Sequence, residues 1–261
     1  MKEVIQNHFG FSRLPFGKDI GPDEIFPSAS AAEAAAMLEL GLESEDIMVL
    51  TGPIGCGKSL VLRSATKRFD STRYQTLYLR GSISGAGELF KLLLQGMKID
   101  PPYSLSRAKP LFYTAVAEAK RKPLVLIDDA QDAAPEALLA LKSMTNFDAD
   151  SSNRITFILA GQPDLRTILA YAHFDALRTR VRLTHELAPM SLEETAGYID
   201  HGLQIVHCKE KLFSDKAKMA VFKRSAGIAR SVNTICYQAI LRAAIDKKHV
   251  IDTLDLPSEP A

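Results

Sequence analysis

The residues of this chain most able to do chemistry at a defined spacing are Gly52, Pro53, Ile54, Gly55, Cys56, Gly57, Lys58 and Ser59. They read G-x-x-x-x-G-K-[ST], the pattern of a backbone cradle for nucleotide phosphates. Glycines let the chain curl so that successive N–H groups point inward at phosphate oxygens. A helix opening behind the loop adds the positive end of its dipole. Lys58 has the reach for the β- and γ-phosphates, and the Ser59 hydroxyl is a ligand for Mg²⁺. Leu60 opens the helix and closes the set of nucleotide-contacting candidates. The spacing predicts a bound nucleoside triphosphate.

A cradle binds; hydrolysis asks for more. Asp128 ends an apolar run, where a carboxylate faces the same end of a parallel sheet as the cradle and helps hold Mg²⁺. Asp129 follows at the position of a general base that polarises the attacking water. Gln162, in Gly161-Gln162-Pro163-Asp164, stands where a polar side chain orients that water or senses the γ-phosphate; a simple turn residue is the competing reading. Arg180, or else Arg178, precedes a strand and is read either as a finger reaching a neighbouring subunit or as solvated surface. Arg230 sits at a helix start, where the macrodipole prefers anions. A bound triphosphate would supply that charge, and an ordinary surface arginine is the alternative.

The elements that must position these groups alternate. Residues 47–50, 74–79, 123–128, 155–160 and 181–187 read as strands, and 123–128 is apolar throughout, as in a parallel strand buried on both faces. Helical spacing runs over 60–67, 86–97, 109–120 and 136–144, with Pro135 as a helix start. From Ser191 the pattern is helical alone, over 192–206, 215–225 and 231–246. The βαβα series predicts an α/β fold, a three-layer parallel-sheet domain over 1–190. A small helical lid over 191–250 and a short frayed tail over 251–261 follow. Tyr78, Phe90 and Phe112 read as core.

Composition bounds the rest. The chain has 261 residues, 46% apolar and 24% charged, with formal net charge +1. These values are ordinary for a soluble globular protein. No apolar run approaches the roughly 20 residues of a membrane span, and residues 1–6 lack the apolar core of a secretory signal. Three widely spaced cysteines, Cys56, Cys208 and Cys236, suit a reducing cytoplasm. His201, His207 and Cys208 do not share a helix face well enough for a metal site. The near-zero charge hides a basic excess: Lys209, Lys211, Lys216, Lys218, Lys223, Arg224, Arg230, Arg242, Lys247 and Lys248 face only Glu210, Asp215 and Asp246. That excess reads as a phosphate-tracking surface or as solvated helices.

Together these landmarks resemble the AAA+ ATPases. Gly52 to Ser59 looks like Walker A, Asp128 with Asp129 like Walker B, Gln162 like sensor 1, Arg180 like the finger and Arg230 like sensor 2. The opening Phe9-Gly10-Phe11-Ser12-Arg13-Leu14-Pro15-Phe16 and the segment Leu159-Ala160-Gly161-Gln162-Pro163-Asp164-Leu165 resemble the ExeA-like branch, which includes transposition ATPases related to TnsC and MuB. The resemblance implies ATP and Mg²⁺ as cofactors, with Pro15 and Phe16 against the adenine. It also implies a homo-oligomer, and a helper that assembles on double-stranded DNA to recruit or activate a transposase, with no membrane involved. A secretion-associated ExeA-type ATPase and a nucleotide-binding scaffold that scarcely hydrolyses ATP are the alternatives. One departure stands out: the family usually carries Glu after the Walker B Asp, and Asp129 is shorter by one methylene. Slow hydrolysis is the expectation.

Overall fold

The computed structural model describes residues 2–17, 20–21, 24–44, 47–147 and 153–257. Its contacts divide the chain into two compact units: Ala32–Gly52 with Lys58–Leu187, and Met1–Ala31, Pro53–Gly57 and Ala188–Ala261.

The first unit is built on β1 (Ile47–Thr51), β2 (Tyr74–Arg80), β3 (Lys122–Asp128), β4 (Thr156–Gly161) and β5 (Val181–Glu186). All pair in parallel, in the order β2-β3-β4-β1-β5. β1 and β4 are buried at every position, because helices cover both faces of a parallel sheet. Alternate residues serve opposite faces. Ile47, Val49, Val125, Ile127, Phe157 and Leu159 join one continuous core with α4 (Ala86–Gly96), α5 (Leu105–Ala117), α6 (Pro135–Met144), α7 (Asp164–Leu169) and α8 (Asp175–Arg178). Met48, Leu50, Leu126, Ile158 and Ala160 are equally buried and point the other way. On that side lie α2 (Ala29–Ser44) and α3 (Lys58–Arg68); a methyl at Gly41 of α2 would overlap the Met48 Sδ at 2.0 Å. The result is the expected three-layer α/β fold.

The second unit packs α1 (Lys2–Phe9), α9 (Leu192–Gln204), α10 (Asp215–Ser225) and α11 (Ala229–Ile245) around Ile199, Phe213, Val221, Val232, Cys236 and Ile240. A capping box starts α9: the Glu194 N–H donates to Ser191 Oγ at 3.1 Å, and the Ser191 N–H to Glu194 Oε2 at 2.8 Å. Ile5 and Phe11 enter the same core, so residues 1–31 group with these helices and not with the sheet to which a 1–190 domain would assign them.

Other differences are local. α1 and α2 have no counterpart in the sequence reading. α5 starts at Leu105 and not at 109, carrying Pro110 in its interior at the expense of one backbone hydrogen bond. The tail is not frayed through Pro257: Ile251 bridges to Phe213, Leu256 is buried, and Ser214 Oγ donates to Asp252 Oδ1 at 2.7 Å. Residues 258–261 of that expectation lie outside the described chain.

Candidate functional site

In the sheet unit the motif residues collect at the C-terminal ends of the strands. This is where open parallel sheets bind ligands. β1 ends at Thr51, and Gly52 leads into the loop. Lys58 opens α3; its side chain is only 7% exposed, and its Nζ donates to the Gly52 carbonyl at 2.8 Å. Ser59 beside it is exposed and Leu60 half-buried.

Within the helical unit lies the middle of the same loop, residues 53–57. Gly55 and Gly57 have φ of +84° and +108°, values L side chains adopt only under strain. Gly55 meets the start of α11: the Arg230 N–H donates to its carbonyl at 3.1 Å. A methyl group at Gly55 would lie 2.7 Å from Arg230 Cβ and 3.3 Å from Ile228 Cγ2. Cys56 N–H donates to the Pro53 carbonyl at 3.3 Å, closing a turn, and Ile54 projects to solvent. Arg230 is exposed, is the second residue of α11, and shares its first turn with no acid.

At the end of β3, Asp128 is 5% exposed. Its Oδ1 accepts from the Asp129 N–H at 3.1 Å, and its Oδ2 from the Tyr78 hydroxyl at 2.5 Å. Tyr78 is therefore not a core residue as its strand pattern suggested: it is 52% exposed and uses its hydroxyl on the carboxylate. Desolvation, then the Asp128 hydrogen bond, push the phenol well above its usual pKa, so it remains a donor. Phe90 and Phe112 are core, in edge contact at 5.3 Å.

Asp129 is exposed and left-handed, with φ 55° and ψ 41°. Asp and Asn tolerate this conformation better than longer side chains, a physical reason for Asp where a Glu is the family habit. Gly81 packs on its backbone so closely that a Cβ would sit 1.8 Å from the Asp129 carbonyl oxygen.

Gln162 follows β4, the strand between β3 and β1. Its N–H donates at 3.0 Å to Oε1 of Gln131, a residue the sequence reading passed over. Gln131 Nε2 is buried without a hydrogen-bond partner among the described residues. The signal was available: Gln131 lies three residues past Asp128, on the turn that leads from β3 to α6.

The arginines before β5 differ. Arg178 is tied to Asp175 Oδ1 at 2.7 Å and to the Ala170 carbonyl at 3.2 Å. Arg180 is half-buried, and its carbonyl accepts from the Ile47 N–H at 3.2 Å. In the helical unit Pro15 is buried, and the Phe16 ring packs on α9, where a Cβ at Gly202 would approach it to 2.5 Å. No group of three or more His, Cys, Asp or Glu able to hold a metal occurs among the described residues. No described helix is long and apolar enough to cross a membrane.

Half of the basic stretch has internal partners. Lys218 Nζ is buried on the Asp200 carboxylate at 2.6 Å, Lys211 pairs with Asp215 at 3.0 Å, and Arg242 with Asp246 at 3.9 Å. Lys248 pairs with Asp255, and Arg224 donates to the Pro257 carbonyl.

Residues 42–169 match the family model described as an AAA domain. That match covers just under half of the chain, and with the sheet order and the loop it describes a P-loop NTPase fold, which implies nucleotide binding. Among curated proteins the chain is similar to General secretion pathway protein A of Aeromonas hydrophila, 27% identical over 251 residues. The alignment covers 93% of this chain and 45% of that protein, so the chain spans less than half of its relative. Among solved structures it resembles Cdc6p from Pyrobaculum aerophilum, with TM-score 0.73, 16% identity, and coverage of 90% of this chain and 67% of the other. It also resembles the Aeropyrum pernix ORC1 protein in complex with DNA, with TM-score 0.66, 11% identity, and coverage of 87% and 62%. At such identities the likeness is one of fold.

Proposed function

We propose that this chain is a Mg²⁺-dependent ATPase module that holds ATP with Gly52, Pro53, Ile54, Gly55, Cys56, Gly57, Lys58, Ser59 and Leu60. The observation that carries the reading is a buried ammonium, Lys58, after β1 together with a buried carboxylate, Asp128, ending β3, one strand apart in the same sheet. Lys58 is held by the Gly52 carbonyl, and Asp128 by Tyr78 and the Asp129 N–H, at the strand ends where open parallel sheets bind ligands. The donor set also fits the ligand: inward N–H groups and an ammonium for phosphate, hydroxyl and carboxylate oxygens for a hard cation.

Ser59 and Asp128 would hold Mg²⁺, which supplies charge neutralisation and polarisation of phosphoryl oxygens. Asp129 accepts the proton of the attacking water, and Gln162 orients that water, its backbone fixed by Gln131. Arg230 reports the nucleotide state to α11 through the Gly55 bond. Arg180, or else Arg178, is the finger offered to a neighbouring copy in a homo-oligomer. Pro15 and Phe16 form the base pocket, in a packing already set by α9.

The biological setting follows the curated relative. A secretion-associated role is the better supported, since a relative of that description aligns over nearly the whole chain. The transposition helper, assembled on double-stranded DNA with a transposase, rests on the opening segment and the fourth-strand motif. Against it, five of the ten basic residues, Lys211, Lys218, Arg224, Arg242 and Lys248, already have internal partners, which leaves Lys209, Lys216, Lys223, Arg230 and Lys247 as the exposed remainder for phosphates. A cytoplasmic location belongs to the same reading, the thiols of Cys208 and Cys236 being free.

The deciding experiment is ATP hydrolysis with and without double-stranded DNA, at two salt concentrations, with Lys58→Ala as control. Hydrolysis lost in Lys58→Ala and indifferent to DNA supports the secretion-type module. Salt-sensitive DNA stimulation, the signature of phosphate contacts, would turn the reading to the transposition helper. No hydrolysis in any condition would sink the ATPase assignment in favour of a scaffold.

A further inference from the structure

Tyr78 is absent from every motif discussed above, and its placement is odd for a large aromatic. It lies on β2, an edge strand of the sheet, with about half of its surface in solvent, so burial gives the ring little hold there. Among the described residues, the side chain's one directed interaction is the hydroxyl bond to Asp128 Oδ2 at 2.5 Å. Parallel register explains the reach. Tyr78 pairs with Leu126 and Arg80 with Asp128, so Tyr78 and Asp128 share one face of adjacent strands, two residues apart. The phenol leans along the strand toward the C-terminal edge to close that step.

The consequence falls on the carboxylate. With Oδ1 accepting from the Asp129 N–H and Oδ2 from Tyr78, the Asp128 plane is held from both sides. An ionised carboxylate has about four acceptor sites, and these two bonds leave capacity on each oxygen. A buried carboxylate pinned in plane and still able to accept is the arrangement that a Mg²⁺ site needs. Carboxylates that serve metals are themselves hydrogen-bonded, and loss of such an outer partner weakens metal affinity roughly 10–100-fold.

We propose that Tyr78 is a positioning residue of the metal site, its hydroxyl holding the Asp128 carboxylate in the orientation that receives the Mg²⁺ accompanying the nucleotide. The inference rests on the role given to Asp128 under the proposed function. Tyr78→Phe removes one oxygen atom and leaves the ring on the edge strand. The readout is the Mg²⁺ concentration giving the half-maximal signal of a fluorescent ATP analogue bound to the full chain, against an EDTA baseline. Tyr78→Phe raises that midpoint about 10–100-fold, and the urea midpoint of the ligand-free protein confirms that the variant folds. In an Asp128→Asn background the same change has no further effect, because the phenol acts through that carboxylate. An unshifted midpoint overturns the proposal, as does a lowered one, which would make the phenol a competitor of the metal. A loss that adds fully to that of Asp128→Asn also overturns it. Were the wild type to show no Mg²⁺-dependent signal, the nucleotide reading itself would fall; a responsive wild type with an unshifted variant sinks the Tyr78 role alone.

Discussion

The contact between Gly55 and α11 predicts a measurable coupling between the phosphate loop and Arg230. Replacing Gly55 by alanine has two separable costs. The first is backbone: at φ +84°, a left-handed conformation costs a non-glycine residue roughly 1–2 kcal/mol. The second is steric. The new methyl would stand 2.7 Å from Arg230 Cβ, and overpacking of this kind costs about 1–3 kcal/mol. Gly57 is the control: its φ is +108° and nothing lies within 4 Å of a Cβ there, so Gly57→Ala carries only a backbone cost. The assay is urea unfolding of the ligand-free protein, followed by circular dichroism, for each alanine variant with Arg230 present and with Arg230→Gly. Removing the Arg230 Cβ should recover about 1–3 kcal/mol of the Gly55→Ala loss and none of the Gly57→Ala loss. If Gly55→Ala costs the same in both backgrounds, the loop does not press on α11 and the reasoning fails.

Asp129→Asn should lower kcat roughly 10²–10⁴-fold with the urea midpoint unchanged, because Asn accepts the left-handed backbone as Asp does; an unaffected kcat would remove Asp129 from catalysis. Asp129→Glu should raise turnover at a small cost in stability, and a wild-type rate already fast and not improved would contradict slow hydrolysis. Acid should loosen the helical unit in part through Glu194. The Ser191 N–H, then the Ala29 N–H, hold its carboxyl below the usual range. A carboxyl lowered in the folded state contributes stability that is whole above its unfolded value, about 4.3, and is lost as pH falls through the folded one. Thermal melts between pH 6 and pH 3 should therefore fall less steeply for Glu194→Gln than for wild type.

Much of the sheet unit was legible because its strands are apolar runs ended by glycine or aspartate, so period and punctuation agreed. Leu124 to Ile127 announce a two-faced strand, and Asp128 is placed by where that strand stops. The loop backbone was legible for a similar reason: Gly55 and Gly57 take positive φ, which their residue type allows locally. What escaped depends on partners far away in sequence. Tyr78 alternates like any strand aromatic, and only the pairing of β2 with β3 shows its hydroxyl on Asp128, 50 residues on. α2 was missed because its alanine-rich run lacks a clear apolar stripe; Ala34 and Leu38 are nonetheless fully buried, and Gly41 closes on Met48 of β1. The pairing within the basic stretch was hidden in the same way. A count of charges does not show that Lys218 reaches back to Asp200 or Lys248 on to Asp255.

The most direct test of the account is equilibrium binding of ATP in the presence of Mg²⁺, wild type against Lys58→Ala. The account predicts saturable binding that weakens when Mg²⁺ is removed by EDTA and is lost or greatly reduced in Lys58→Ala, with the variant still folded by circular dichroism. Binding undiminished in a folded Lys58→Ala protein, or no binding by the wild type, would contradict the assignment of the Gly52–Ser59 loop as the nucleotide site.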